Sequence, residues 1–367
     1  MARKIHPLRR LGHGLAWLLG GIAALYVFGM IHFDGPLGAP ASTGNLVLAC
    51  AWAALVLVAL LVFRKPRGRL LAFTLLVAVV AVPWSFKRPS NDRDWRPEFR
   101  ETGWVTIDGG AITFHKVRNF EWQDADHYTE RWETRTHHLS KLEGIDYFHD
   151  AFGGKLLAHP ILSFDFGDEG HLCLSIETRR ETSESFSTFG GLYKMFELQY
   201  IFGSEEDFIR VRTNIRDEPV YLYRLRAGQT KATEVLMESI GVQNALRERP
   251  RFYNVLTANC TTSLRAQNPA PEREAFDWRM VVNGRLDEYV HEKGAIVDED
   301  MDFETLRPLC LINEAAPRSP RPSATAVPAS ARVRSGGISR FSRFRNRPTP
   351  VSLSPCAPHS GFSPSPC

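Results

Sequence analysis

The chain has 367 residues, of which 44% are hydrophobic and 23% are charged. This length allows two or three domains, and the composition is that of an ordinary folded protein. The formal net charge is +4, with 45 Lys and Arg against 41 Asp and Glu, so charge alone neither indicates nor excludes a nucleic-acid partner.

Three apolar runs occupy most of the first 90 residues. They are residues 11–31, 46–63 and 70–86, and none of them contains Lys, Arg, Asp or Glu. Each is about as long as a helix must be to cross a bilayer. The first follows a basic leader, as a signal peptide would, but no small-residue cleavage site stands out and two further runs follow it. We therefore predict a three-helix transmembrane anchor over residues 1–90, with buried core helices as the alternative.

The distribution of Lys and Arg predicts how this anchor is oriented. Four basic residues lie in the leader 1–10 and four in the loop 64–69, whereas the loop 32–45 has none. By the positive-inside rule the N-terminus and the second loop are cytoplasmic. The chain after about residue 87 then lies on the far side of the membrane, in a periplasm-like compartment.

Residues 91–310 are predicted to form one α+β domain. Strand patterns cover residues 104–107, 111–117, 159–166, 171–179, 208–213 and 220–226, and helical patterns cover 231–247, a segment that begins near 260, and 284–293. Several of the strand patterns alternate polar and apolar residues, which is typical of half-buried antiparallel strands. Strands followed by helices favour an antiparallel sheet with helices packed on one face.

The composition changes sharply near the C-terminal end. After Ala316 the chain is rich in Pro, Ser and Arg and has no Asp, Glu or Lys. Such a segment buries too little apolar surface to fold. We expect residues 311–367 to be a disordered tail, and we favour an out-of-frame extension over a basic arm that binds anionic lipid.

Cysteine usage gives no indication of a metal site. The six cysteines are Cys50, Cys173, Cys260, Cys310, Cys356 and Cys367. Their spacing matches no pattern of metal ligands. In an oxidising compartment such cysteines tend to form disulfides unless chemistry protects them.

The stretch YNVLTANCTTSL, residues 253–264, contains the cysteine of greatest interest. Cys260 is a buried structural thiol, half of a disulfide, or a nucleophile. Asn259 is a favoured N-cap, so Cys260 would begin a helix, where the unpaired N–H groups and the helix dipole favour a thiolate. The same N–H groups could hold a developing oxyanion.

A cysteine nucleophile needs a base, and His159 is the best candidate. It opens an apolar strand pattern and is followed by Pro, which favours an extended backbone. A buried structural histidine is the alternative reading. Four other soluble histidines are weaker candidates because they lie in charged, turn-like or polar helical surroundings; they are His137, His138, His171 and His291.

A third group should orient the imidazole. In the pattern HLCLSIETR, alternation places Ser175 and Glu177 on the same face as Cys173. Either Ser175 or Glu177 could reach His159 if the two strands pair. Glu177 could equally pair with Arg179 or Arg131.

Four blocks of the sequence resemble a known family. They are VRNFEWQDADHYTERWETRTHHLSKLEGIDYF, AHPILSFDFGDEGHLCLSIETRRE, VYLYRLRA and PRFYNVLTANCTT. In this order, over roughly residues 100–300, they resemble the periplasmic domain of the Lnb family of bacterial lipoprotein N-acyltransferases. That family looks like a permuted branch of the NlpC/P60 and papain-like thiol enzymes, which includes lecithin:retinol acyltransferase. There a histidine strand precedes an Asn-Cys helix start, as His159 precedes Cys260 here.

The resemblance implies a permuted NlpC/P60 α+β fold and a catalytic set of Cys260, His159 and Glu177. The implied activity moves an acyl chain from a membrane phospholipid, through a cysteine thioester, to the α-amine of a lipoprotein diacylglyceryl-cysteine. The expected partners are the phospholipid donor, the lipoprotein acceptor and the membrane, with no nucleic acid, cofactor or metal. A cysteine peptidase or amidase acting on cell-wall peptides is the first alternative. A lipid- or lipoprotein-binding domain without enzymatic activity is the second.

The apolar, aromatic stretch FSTFGGLYKMFELQYIF, residues 186–202, allows two interpretations. It could admit acyl chains, or it could be an ordinary core helix followed by a strand. We favour the second.

Overall fold

The computed structural model describes residues 7–259, 261 and 277–313. All of these lie in one compact unit, Met1–Ala316. Cys260 and all but the first three residues of the predicted tail 311–367 lie outside the described residues.

The N-terminal region contains three apolar helices, as predicted. They are α1 (Pro7–Asp34), α2 (Thr43–Val62) and α3 (Pro66–Ser85), and each is long and apolar enough to cross a membrane. They pack against one another, and Trp52 Nε1 on α2 donates to the carbonyl of Leu76 on α3 at 3.0 Å. Many large apolar side chains on their outer surface are exposed, as expected of helices that face lipid.

The rest of the described chain is built around one twisted sheet. Its strands are β1 (Trp104–Asp108), β2 (Ala111–Arg118), β5 (Trp132–His138), β6 (Gly144–Gly153), β7 (Leu157–Asp165), β8 (His171–Arg179), β9 (Glu197–Gly203) and β10 (Val220–Arg224); β3 (Glu121–Trp122) and β4 (Tyr128–Thr129) form a separate hairpin. The order is β1-β2-β9-β8-β7-β6-β10, with β5 paired to β2. The strand pairs are antiparallel except for the short contact of β2 with β9.

Four further helices accompany the sheet in the described residues. They are α4 (Glu205–Arg210), which continues as a π-helical turn (Val211–Ile215), then α5 (Gln229–Glu248), α6 (Leu286–Glu292) and α7 (Phe303–Leu309). Single 3₁₀ turns lie at Pro97–Phe99, Leu139–Lys141, Gly167–Glu169, Gly190–Leu192, Trp278–Met280 and Asn283–Arg285.

The main core lies between one face of the sheet and α5. Leu174 and Ile176 of β8 bury against Leu236 and Ile240 of α5 in a single apolar cluster. α4 and its π-helical turn contact β8 from the other side, where Ser175 and Glu177 lie. The α+β prediction is therefore confirmed, but the expectation of helices on only one face is wrong.

The strand predicted over residues 208–213 is also wrong, because these residues complete α4 and form the π-helical turn. The side chain of Ser204 caps α4 by accepting from Asp207 N, and Ser is a favoured N-cap. The prediction assigned FIRVRT to a strand from its local pattern alone. Arg212 is instead buried. The core helix considered within residues 186–202 is absent from that stretch, which contains a 3₁₀ turn and β9.

A buried carboxylate joins the membrane helices to the domain. Asp34, the last residue of α1, accepts from Trp84 Nε1 at 2.6 Å, Lys87 Nζ at 2.8 Å and Lys194 N at 2.9 Å. Lys194 Nζ in turn donates to the carbonyls of Trp84, Ser85 and Lys87, at 3.0 to 3.1 Å. These carbonyls lie at the C-terminal end of α3, where a cation satisfies groups that the helix leaves unpaired. The anchor and the domain are therefore packed together.

We predict that Asp34→Ala destabilises the protein by about 3–5 kcal/mol, because it leaves three donors around a buried site without their acceptor. The free energy of unfolding in mixed micelles measures the effect. Asp168→Ala is the control, because it removes a carboxylate that pairs with Lys141 on an exposed surface. Equal stability of the two variants would contradict the prediction.

Candidate active site

Pairing of β7 with β8 brings His159, Ser175 and Glu177 together. The register places Ile161 opposite Ser175, so His159 lies opposite Glu177 two residues further along. His159 Nε2 is 2.7 Å from Ser175 Oγ and 3.3 Å from Glu177 Oε1. Both side chains that the sequence offered as orienting groups therefore contact the same ring nitrogen.

The direction of the hydrogen bonds assigns the imidazole tautomer. Ser175 Oγ donates its only proton to Glu177 Oε1 at 2.6 Å. The hydroxyl oxygen can then only accept from His159, so the ring proton is on Nε2. Nδ1 is consequently the basic nitrogen of the ring.

A buried arginine supports this array from the π-helical turn. Arg212 Nη2 lies 3.6 Å from Glu177 Oε1, and Arg212 Nε donates to Asp150 Oδ2 at 2.9 Å. Its Nη1 donates to the carbonyl of Phe208 at 2.7 Å. Asp150 is the register partner of His159 on β6, so one guanidinium bridges carboxylates on both strands that flank β7.

These contacts determine the ionisation of Glu177. Burial would raise its pKa, but the charge and hydrogen bond of His159, the charge of Arg212 and the hydrogen bond from Ser175 hold the pKa well below its ordinary value. Burial would likewise lower the pKa of Arg212, yet the carboxylates of Asp150 and Glu177 raise it. The site therefore presents a carboxylate, rather than a carboxylic acid, to the imidazole.

Sequence reasoning missed Arg212 and Asp150. It offered Arg179 or Arg131 as the partner of Glu177, but Arg179 donates to the carbonyls of Phe99 and Arg100 instead. Arg131 lies beside Glu121 on the surface. The sequence did contain a chemical indication of such a partner, because a carboxylate on a buried strand face requires a cation.

Cys260 lies outside the described residues, but both of its sequence neighbours are described. Thr261 is helical and buried, and Asn283 Nδ2 lies 3.4 Å from its Oγ1. Asn283 Oδ1 accepts from Ala158 N at 2.8 Å. One asparagine side chain thus connects the residue before His159 to the residue after Cys260.

Asn259, the predicted N-cap, is also buried. Its Nδ2 donates to the carbonyls of Val255 and Met280. These bonds tie the chain immediately before Cys260 to the turn that precedes Asn283.

The cysteines that the structure does describe are poorly suited to nucleophilic chemistry. Cys310 is a free buried thiol, and burial together with the charge of Asp287 raises its pKa to about 12. Because the thiolate is the reactive species, Cys310 is inert near neutral pH. Cys173 is fully buried in β8, and Cys50 lies on α2 within the anchor.

The remaining histidines are held in other surroundings. His138 pairs with Glu169 on the surface, and His291 contacts the carbonyl of Met301. His149, which sequence reasoning did not consider, is fully buried with Nδ1 2.7 Å from Tyr147 Oη. Burial lowers its pKa, so it is neutral and structural.

One cluster of possible metal ligands is already occupied by a protein cation. Asp146, Asp165 and His171 bring ligand atoms within 4.8 Å of one another. Arg224 Nη1 lies 3.2 Å from Asp146 Oδ1 and 2.9 Å from Asp165 Oδ2. The guanidinium supplies the charge that an ion would bring, so we assign no metal to this cluster.

Comparison with known proteins identifies part of the chain. Residues 128–284 match the family model of the Lnb N-terminal periplasmic domain. That segment is similar to an Lnb periplasmic domain. The Lnb-like segment contains His159, Ser175, Glu177 and Cys260 but spans less than half of the chain. No curated protein and no solved structure matches.

The match supports the Lnb part of the resemblance seen in the sequence. With three helices long enough to span a membrane, it indicates a membrane-associated protein with a periplasmic domain.

We predict that Arg212→Met destabilises the protein by about 3–5 kcal/mol, because Asp150 and Glu177 lose their shared buried cation. Adding Glu177→Gln should recover part of this loss through a coupling of roughly 0.5–3 kcal/mol. Denaturant unfolding of the single and double variants measures both the loss of stability and the coupling energy.

Arg216→Met, on the same turn but exposed, is the matched control and should change stability by no more than about 0.5 kcal/mol. Strictly additive effects of the Arg212 and Glu177 substitutions would contradict the ion network.

Proposed function

We propose that this protein is an inner-membrane thiol acyltransferase with its catalytic domain in the periplasm. It transfers an acyl chain from a phospholipid, through a Cys260 thioester, to the α-amine of a lipoprotein diacylglyceryl-cysteine. The observation that carries the proposal is the oriented His159–Ser175–Glu177 array, connected through Asn283 to the residue next to Cys260. A permuted NlpC/P60 fold, with the histidine strand before the cysteine, is part of the proposal.

The first half-reaction forms the acyl-enzyme. His159 Nδ1 accepts the Cys260 thiol proton, and the thiolate attacks the ester carbonyl of the phospholipid. A carbon–sulfur bond forms and the ester carbon–oxygen bond breaks. The imidazolium returns the proton to the departing oxygen, and lysophospholipid leaves.

The second half-reaction uses the same groups in the opposite order. The neutral α-amine of the lipoprotein cysteine attacks the thioester carbonyl, so a carbon–nitrogen bond forms and the carbon–sulfur bond breaks. His159 takes the proton that the amine loses and transfers it to the departing thiolate. The Glu177 carboxylate stabilises the imidazolium in both halves.

The position of the array favours lipid substrates. His159 lies at the end of the sheet where β8 ends. The segment that follows β8 contains Lys194, whose backbone N–H donates to Asp34 at the end of the first membrane helix. A domain packed on its own anchor meets lipid-anchored donor and acceptor at the membrane surface at high effective concentration. A cell-wall peptidase or amidase would use the same array with water as the acceptor.

Lipoprotein mass distinguishes these functions. Deletion of the gene should remove the amide-linked acyl chain from lipoprotein N-termini, and the wild-type gene should restore it. Genes that carry Cys260→Ala or His159→Ala should not restore the acyl chain, because loss of the nucleophile or base lowers turnover by about 10³-fold or more. Cys50→Ala is the control and should complement fully.

Unchanged lipoprotein masses after deletion would favour the hydrolase. Full complementation by Cys260→Ala would favour a non-enzymatic binding role. Trapping the acyl-enzyme and mapping a hydroxylamine-labile acyl group to Cys260 gives the direct chemical test.

Glu177 is proposed as a positioning residue, and its test is a pH profile. Glu177→Gln removes the anion that stabilises the imidazolium, so the limb of the kcat/KM profile governed by His159 should move to lower pH. The maximum rate should fall by roughly 10²-fold or more. Glu169→Gln is the control, since that carboxylate contacts His138 at the other end of the sheet. A lower rate with an unshifted profile would mean that Glu177 acts only on stability.

A further inference from the structure

The connection between β8 and β9, residues 180–196, leaves and re-enters the sheet at the same end as the candidate site. Glu177 pairs in register with Gln199, and Arg179 pairs with Glu197. His159 lies opposite Glu177 at the start of β7. The β8–β9 connection therefore projects from the end of the sheet that carries the catalytic array.

The tip of this connection packs into the membrane anchor. Tyr193 is 8% exposed and stacks on Tyr26 and Phe33 of α1, with ring centroids 5.0 and 5.3 Å apart. The Tyr26 hydroxyl donates to the carbonyl of Leu192 at 3.4 Å. A Cβ at Gly29 would lie 1.8 Å from the Tyr193 hydroxyl, so glycine permits this close approach.

These contacts place the tip at membrane depth. Gly29 and Tyr26 lie five and eight residues before Asp34, where α1 ends. At 1.5 Å per residue, they are about 8 and 12 Å below that end. Both also lie inside the uncharged run 11–31. The tip of the β8–β9 connection thus lies beside the last third of α1, within the candidate span Gly14–Asp34.

Several large apolar side chains in this connection and in other loops of the described chain are exposed. Phe189 is 72% exposed and Phe186 is 49% exposed, and the Phe186 ring contacts that of Phe152 at 6.3 Å. Leu156, in the β6–β7 hairpin, and Leu256, just before Cys260, are exposed as well. Exposed apolar clusters mark binding surfaces, and aromatic residues are enriched at membrane interfaces.

The same connection touches the chain that leads to Cys260. Val255 N donates to the carbonyl of Gly191 at 2.8 Å, and Tyr253 N donates to that of Phe196 at 2.9 Å. Residues 190–196 therefore contact the membrane helices through Tyr193 and the segment 253–255 through these backbone bonds.

We propose that residues 186–193 form an interfacial wedge, which enters the outer leaflet beside α1 with Phe186 and Phe189 in contact with phospholipid acyl chains. The occupant is lipid because the exposed rings continue from residues packed on α1 at the depth of its apolar run. Lipid contact by the wedge is independent of Cys260 chemistry. Its role in leading a phospholipid toward His159 rests on the proposed function.

Photocrosslinking tests the contact directly. p-Benzoylphenylalanine replaces Phe189 in the full chain, which is placed in nanodiscs of phosphatidylethanolamine and phosphatidylglycerol and irradiated. Mass spectrometry should find phospholipid adducts at position 189. The control replaces Ile107, which is 47% exposed and lies in the β1–β2 hairpin, beyond the other end of the sheet. Equal adducts at both positions, or only protein adducts at 189, would overturn the proposal.

A second measurement separates the wedge from the chemistry. The double variant Phe186→Ser and Phe189→Ser should lose at least about tenfold in acyl transfer from bilayer phospholipid, while iodoacetamide alkylation of Cys260 keeps its wild-type rate. Ile107→Ser should change neither. Crosslinking at position 189 is also run in Cys260→Ala protein, where adducts must persist. If the wild-type protein forms phospholipid adducts but transfers no acyl chain, the proposed function is refuted and the wedge is not. If the double variant transfers acyl chains at the wild-type rate, the role of the wedge in donor entry is refuted.

Discussion

The candidate site depends on one buried cation, the guanidinium of Arg212. Two carboxylates, Asp150 and Glu177, lie on the strands that flank β7, on either side of His159. Burial without a counter-charge would favour the protonated form of Glu177. Arg212 contacts both, so Glu177 remains ionised beside the imidazole. The buried ion pairs of Arg212 with Asp150 and Glu177 contribute less to net stability than to holding these three side chains in one arrangement.

A second constraint fixes where this array faces. The Asp34 carboxylate accepts from Lys194 N and Lys87 Nζ, and the Lys194 ammonium donates to the carbonyl of Trp84 near the end of α3, so these contacts hold the domain against its anchor. The β8–β9 connection carries Lys194 and begins at the end of the strand that holds Ser175 and Glu177. One continuous stretch of chain therefore links the candidate site to the contacts that hold the domain on its three apolar helices.

The predictions that succeeded rest on short-range periodicity. Uncharged runs of sufficient length identified the three helices, and alternation along HLCLSIETR placed Ser175 and Glu177 on one face, where both reach His159. Two local predictions were wrong. The stretch FIRVRT was predicted to be a strand, but it completes α4 and forms the π-helical turn, where Arg212 lies buried beside Asp150 and Glu177. In residues 186–202 a core helix followed by a strand was favoured; the strand is present as β9, but the helix is not, and Tyr193 packs on α1.

Chain composition and local pattern are enough to predict three apolar helices and an α+β domain, both of which the structure contains, because each follows from hydrophobicity or spacing within one segment. The orientation of the helices and the thiol site are predicted from the same kind of local pattern. The register of β7 with β8, the ion pairs of Arg212 and the docking of Tyr193 on α1 join residues between 16 and 167 positions apart in the chain. Such contacts depend on which surfaces meet after the sheet has assembled and on which buried charges can be neutralised there. The tertiary arrangement of the described residues is therefore what brings a histidine, a serine and a glutamate into one oriented array.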